Sequence, residues 1–245
     1  MKKIYLLVSI LLFIHFTSSA YIPPLINSAL INQKGEFQAA FTYGTAGAEQ
    51  FFAYGADEDL YVYLTSSFTF DTIYTGENEK RKHFFFEGGF GYSSTSDNGH
   101  WVFSMGGAYG YGQFFNKYYN VKNNSSIFDD NSVYLSANAH KFSIQADIGL
   151  KRPSFEFIFN NRFAVGYFAS SDKQYTIQNS TISFYEPGAT MKAGPGKVKF
   201  MAQFRLGIPL NSTYYDMSYS ALSIGIILHL RPSTSQKPTN ASTNS

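Results

Sequence analysis

The chain has 245 residues, a net charge of +2 and no cysteine. Disulfides and thiolate metal sites are therefore excluded, and no basic run stands out that would bind nucleic acid. Charged residues make up 15% against a usual ~25% for soluble domains, while aromatic residues reach 18% with a single tryptophan. So much Phe and Tyr must either be hidden in a core or be presented to something other than water.

Lys2-Lys3, a mostly apolar run from Ile4 to Phe16 and Thr17-Ser18-Ser19-Ala20 predict a secretory signal peptide cleaved after Ala20. The run is too short to anchor the chain in a membrane. With no cysteine, an exported chain of this size fits a bacterial envelope better than an animal exterior. Residues 21–35 carry two prolines and no periodicity, and are expected to form an extended lead-in. The domain proper is expected over 36–231. A Ser/Thr/Asn-rich tail at 232–245 has almost nothing apolar to bury and is expected to be disordered.

Ten strands are predicted, at 36–44, 47–56, 60–70, 81–93, 100–115, 140–151, 154–169, 182–193, 197–208 and 218–230. The basis is period-2 alternation, as in Phe142-Ile144-Ala146-Ile148-Leu150 against Ser143-Gln145-Asp147-Gly149. Their connections alternate in length. Residues 57–59, 94–99, 152–153 and 194–196 are short and turn-like, whereas 71–80, 116–139, 170–181 and 209–217 are longer and polar. The first connection, 44–47, is the exception. This rhythm predicts an all-β, antiparallel up-and-down transmembrane β-barrel of about ten strands, with eight or twelve as alternatives.

A secreted soluble β-sandwich would alternate in the same way. The second parity argues for the barrel, because it is crowded with small residues: Gly89, Gly91, Ser104, Gly106, Ala108, Gly110, Gly112, Ala164 and Gly166. Glycine weakens a strand unless something approaches closely, and a narrow lumen provides that reason. The same parity carries charge. Glu36, Glu49, Glu87, Asp147, Glu156 and Glu186, with Arg162, Lys192, Lys199 and Arg205, form an expected lumen charge network. Aromatics fall on both parities around Glu49 and Glu186, so these two are the least fixed.

The lead-in Tyr21-Ile22-Pro23-Pro24 is followed by Lys34-Gly35-Glu36 opening a strand and Gly44-Thr45-Ala46-Gly47 at the first turn. With Phe184-Tyr185-Glu186-Pro187-Gly188, it resembles the small, largely uncharacterised outer-membrane β-barrel proteins of Gram-negative bacteria. The resemblance implies an outer-membrane location, contact with its lipid, insertion by the barrel assembly machinery and a non-enzymatic role. One departure stands out: such barrels often close their last strand on an aromatic residue, whereas this one reads Leu228-His229-Leu230 before a polar tail.

Nothing in the sequence supports catalysis, a metal or a cofactor. The histidines form no ligand pair, and Gly88-Gly89-Phe90-Gly91 lies inside a strand with no helix after it. His229 and Ser223, with Asp147 or Glu36, are the one triad worth checking. Tyr118, Tyr119, Phe128 and Tyr134 mark loop 116–139 as the candidate contact surface for an extracellular partner. The expected role is structural or binding through the outer loops, with a narrow transport pore as the alternative.

Overall fold

The computed structural model describes residues 23–27, 29–69, 73–74, 79–119, 132–170, 179–211 and 220–232. The expected signal peptide, the tail beyond Pro232 and Phe128 lie outside them.

Ten strands run in chain order: β1 (Phe37–Gly44), β2 (Gly47–Gly55), β3 (Leu60–Phe68), β4 (Glu79–Thr95), β5 (Trp101–Tyr119), β6 (Ser132–Arg152), β7 (Phe155–Ser170), β8 (Ser180–Ala193), β9 (Val198–Leu206) and β10 (Ser220–Leu230). Two-residue pieces, Ile73–Tyr74 and Ile208–Pro209, pair with β4 and β8. Every strand pairs antiparallel with its sequence neighbours, and β10 closes on β1 from Phe37↔Leu230 to Gly44↔Ser223. The sheet is a closed barrel, not a sandwich. Closure leaves no edge strand and satisfies the backbone within the wall, the condition for a sheet in lipid.

The outer face is apolar. Phe41, Phe90, Phe103, Met105, Phe142, Ile144, Phe163 and Ile226 are each more than half exposed. On β6 this belt spans residues 142–150, about 23 Å of height for a strand tilted some 40°, close to the ~25 Å of a membrane barrel. Tyr54, Tyr92 and Trp101 edge it toward the short turns, and Tyr43, Tyr109 and Tyr167 edge it toward the longer connections. One polar intruder is satisfied locally: Asn161 Oδ1 accepts from Tyr185 Oη at 2.8 Å.

β5 and β6 are longer than the sequence predicted. They pair continuously from Trp101↔Leu150 to Tyr119↔Ser132, so residues 116–119 and 132–139 of the expected 116–139 loop are strand. Nineteen residues of β5 rise roughly 50 Å along the barrel axis, about twice the apolar belt. The excess lies at the long-connection end, where residues 111–119 and 132–140 project as a hairpin. Tyr118, Tyr119 and Tyr134 belong to that ladder and not to a flexible loop. Alternation gives no signal for where a strand leaves the membrane, because the ladder continues in water.

Candidate functional site

The lumen is filled. The lead-in does not lie outside the barrel but passes through it, from Pro23 near Gly207 and Arg205 to Asn32 near Thr95 and Lys151. Leu25, Ile26, Asn27, Ala29, Leu30 and Ile31 are all buried. The sequence carried a signal for this: five apolar side chains in a non-periodic segment need a place to be buried, and only the lumen offers one.

An extended segment in a closed cavity must have its backbone satisfied by side chains. Gln203 does this as a strand neighbour would, accepting from Ile26 N and donating to Ile26 O, both at 3.0 Å. Arg205 Nε donates to Pro23 O at 2.7 Å and Arg162 Nη2 to Pro24 O at 3.3 Å. Gln145 and Asn160 both donate to Asn27 O, at 2.5 and 3.3 Å. Lys151 Nζ reaches Leu30 O at 2.5 Å, and Ser93 Oγ donates to Ile31 O. Pro23 and Pro24 have no N–H, so they bring acceptors and no donor that would need a partner.

All ten residues expected in the lumen charge network are buried there. They divide into groups along the barrel axis. Near the short turns, Glu156 meets Lys199 at 2.7 Å and Lys192 at 3.4 Å, while Glu36 meets Lys151 at 3.7 Å. Beside the threaded segment, Asp147 accepts from Ser104, Gln145 and Asn160 at 2.7–2.9 Å and forms no ion pair among the described residues. Further along, Arg162 bridges Glu186 at 2.5 Å and Glu87 at 3.2 Å, and Lys141 sits 3.3–3.4 Å from the same two carboxylates. Arg205 pairs with Glu49 across the wall. Lys141 and Lys151 were not singled out from the sequence, although both fall on the inward parity. Such buried pairs hold geometry more than they add stability, because desolvation offsets most of the attraction.

Not every aromatic faces out. Phe51, Tyr61, Tyr63, Phe85, Phe114, Phe168 and Phe184 point inward. Phe85, Phe114, Phe168 and Phe184 cluster with Ile182 at the projecting end, and Lys141 Nζ lies 5.1 Å from the Phe85 ring centre. The inward glycines make room for these rings. A Cβ built on Gly89 would stand 2.7 Å from Tyr63 Cζ, and one on Gly110 would run into the Phe85 ring. Parity therefore separates the two faces, but aromatic character alone does not.

The Ser223–His229 triad does not assemble. The two residues lie six positions apart on one strand, roughly 20 Å. Ser223 Oγ accepts from Arg205, whereas His229 stands beside Glu156.

An apolar exterior, a polar and charged interior and a sheet with no edge define a transmembrane β-barrel, here with its own N-terminal segment as the filling. Neither a family model nor a curated protein matches the chain. Among solved structures it is similar to the translocator domain of autotransporter NalP from Neisseria meningitidis. That likeness has 12% identity over 80% of this chain and 86% of that one, with a TM-score of 0.44. It is also similar to the copper transporter OprC, at 10% identity over 74% of this chain and 38% of that one, with a TM-score of 0.26. The class assignment follows from the barrel's own polarity, not from either likeness.

Proposed function

We propose that this chain is an exported outer-membrane barrel of a Gram-negative envelope. Its role is non-catalytic and structural or binding, exercised at the long-connection end. The filled lumen carries this reading. Residues 23–27 and 29–32 occupy the axis, ion pairs pack on either side of them, and an aromatic cluster packs at the projecting end. A barrel of ten strands has little interior to spare, and wide channels belong to barrels of ~16–18 strands. The projecting hairpin of β5 and β6 supports a contact role, since it stands well clear of the lipid belt. Its partner, on this reading, is an extracellular molecule that meets Tyr118, Tyr119 or Tyr134.

Planar-bilayer recording tests the proposal directly. The full chain is expected to insert without discrete current steps at either polarity. Stable, ion-selective steps from the unaltered protein would overturn it in favour of a narrow pore. Cell fractionation with a gel run before and after boiling tests the location. A membrane-fraction band that shifts on heating is expected, and a soluble periplasmic protein would refute the reading.

A further inference from the structure

At the end opposite the projecting hairpin, three short turns and the residues beside the lumen mouth enclose a cavity of about 600 Å³. Its lining is strongly basic: Lys151, Arg152, Lys197, Lys199 and Arg231, with His100 and His229. The positions are fixed by backbone hydrogen bonds between neighbouring connections. Lys151 N donates to His100 O at 2.7 Å, Gly194 N to Ser154 O at 2.9 Å, and His229 N to Lys197 O at 2.7 Å. These bonds tie the backbones of neighbouring connections together around the cavity.

The charges do not balance. With Lys192 just behind, six cations face two carboxylates, Glu36 and Glu156, and both carboxylates are already shared. Among the described residues, Arg152 and Lys197 form no ion pair, and Asp97 in the adjacent turn pairs with none of these cations. His229, 5% exposed and lining the same cavity, has no hydrogen-bond partner on either ring nitrogen. Asn32 and Asn98 add amide groups to the wall. A preformed pocket with excess cations, an unsatisfied buried imidazole and room for a small organic molecule is built for an anion.

We infer that this vestibule binds a phosphorylated anion carrying two phosphate groups. The basic lining, with Arg152 and Lys197 outside any ion pair among the described residues, favours a multiply charged anion: two phosphates bring roughly −3 to −4 near neutral pH, where one carboxylate brings −1. Arg152 contacts His100 Nε2 through Nη1 at 2.8 Å and has its remaining N–H groups for a phosphate's oxygens, while Lys197 presents a point charge. The anion is either a free diphosphate or the headgroup of a lipid reaching the mouth, and both share this chemistry.

The probe is inorganic pyrophosphate, titrated calorimetrically at low ionic strength into the full chain in phosphatidylcholine nanodiscs. One saturable site per chain is expected, weakened at least tenfold in Arg152→Glu and in Lys197→Glu. Both residues are exposed and outside the buried network, and retained heat-modifiable migration checks that each variant folds. Lys82→Glu makes the same charge change at the opposite end and is expected to leave the affinity unaltered. Simple dilution heats from the unaltered protein, or equal weakening in Lys82→Glu, would overturn the inference. Repeating the titration in cardiolipin nanodiscs, with phosphatidylglycerol at the same surface charge as the control, separates the sources: affinity lowered by cardiolipin beyond the control marks a diphosphate lipid headgroup, and equal affinity in the two marks a free anion.

Discussion

Arg205 in β9 donates through Nε to the carbonyl of Pro23 at 2.7 Å, so the wall holds the segment that fills it. The same guanidinium also donates to Ser223 Oγ at 2.9 Å and pairs with Glu49. Arg205→Glu therefore removes a donor from the segment and sets two carboxylates against each other without a cation. Breaking a buried pair from one side costs about 3–5 kcal/mol. Urea unfolding in lipid vesicles should show a lowered midpoint. An unaltered transition would mean that this pair contributes nothing to stability.

Because the chain has no cysteine, an introduced one is the sole site for a maleimide. Asn27→Cys should resist a water-soluble maleimide in the folded barrel and react after unfolding, since Asn27 is 1% exposed in the lumen. Lys197→Cys, on an exposed turn, should react at once. Equal labelling of the two would show that residues 23–32 do not stay inside.

Gly110 lies beneath the Phe85 ring, and no side chain fits between them. Gly110→Ala is expected to destabilise the barrel by about 1–3 kcal/mol through overpacking. Phe85→Leu in the same chain should recover part of that loss. Additive effects in the double-mutant cycle would mean the two residues are not in contact.

The polarity of the wall predicts a depth-dependent response to charge. Phe163→Arg, in the middle of the apolar belt, should cost about 2–4 kcal/mol, whereas Gln113→Arg beyond the belt should cost ~0–1 kcal/mol. Parallel vesicle unfolding measurements compare them. Similar costs at both sites would place the lipid boundary elsewhere.

The strands and the inward charges were legible in the sequence because a pleated strand sends alternate side chains to opposite faces. Ser143, Gln145 and Asp147 could be sorted from Phe142, Ile144 and Ile148 without knowing what either side touches. Glu49 and Glu186 were harder, since Phe51 and Phe184 share their parity, and aromatic rings fit inside wherever glycines such as Gly110 and Gly112 leave room. The path of Pro23 to Asn32 was hidden for another reason. It is held by side chains from β4, β6, β7 and β9, between 62 and 182 residues away, and no local pattern encodes that. The reach of β5 beyond the belt was hidden because water and lipid both accept a paired ladder.

Gln203, which grips Ile26 at both its amide and its carbonyl, sits on the next-to-last strand, while Ile26 precedes the first. The segment lies between ion pairs at the short-turn end and packed rings at the projecting end, inside the ring that β10 completes by pairing with β1. The seam between β10 and β1 therefore encloses a segment that the next-to-last strand holds in place. For this chain, the two ends of the barrel sequence meet twice, once in the wall and once along its axis.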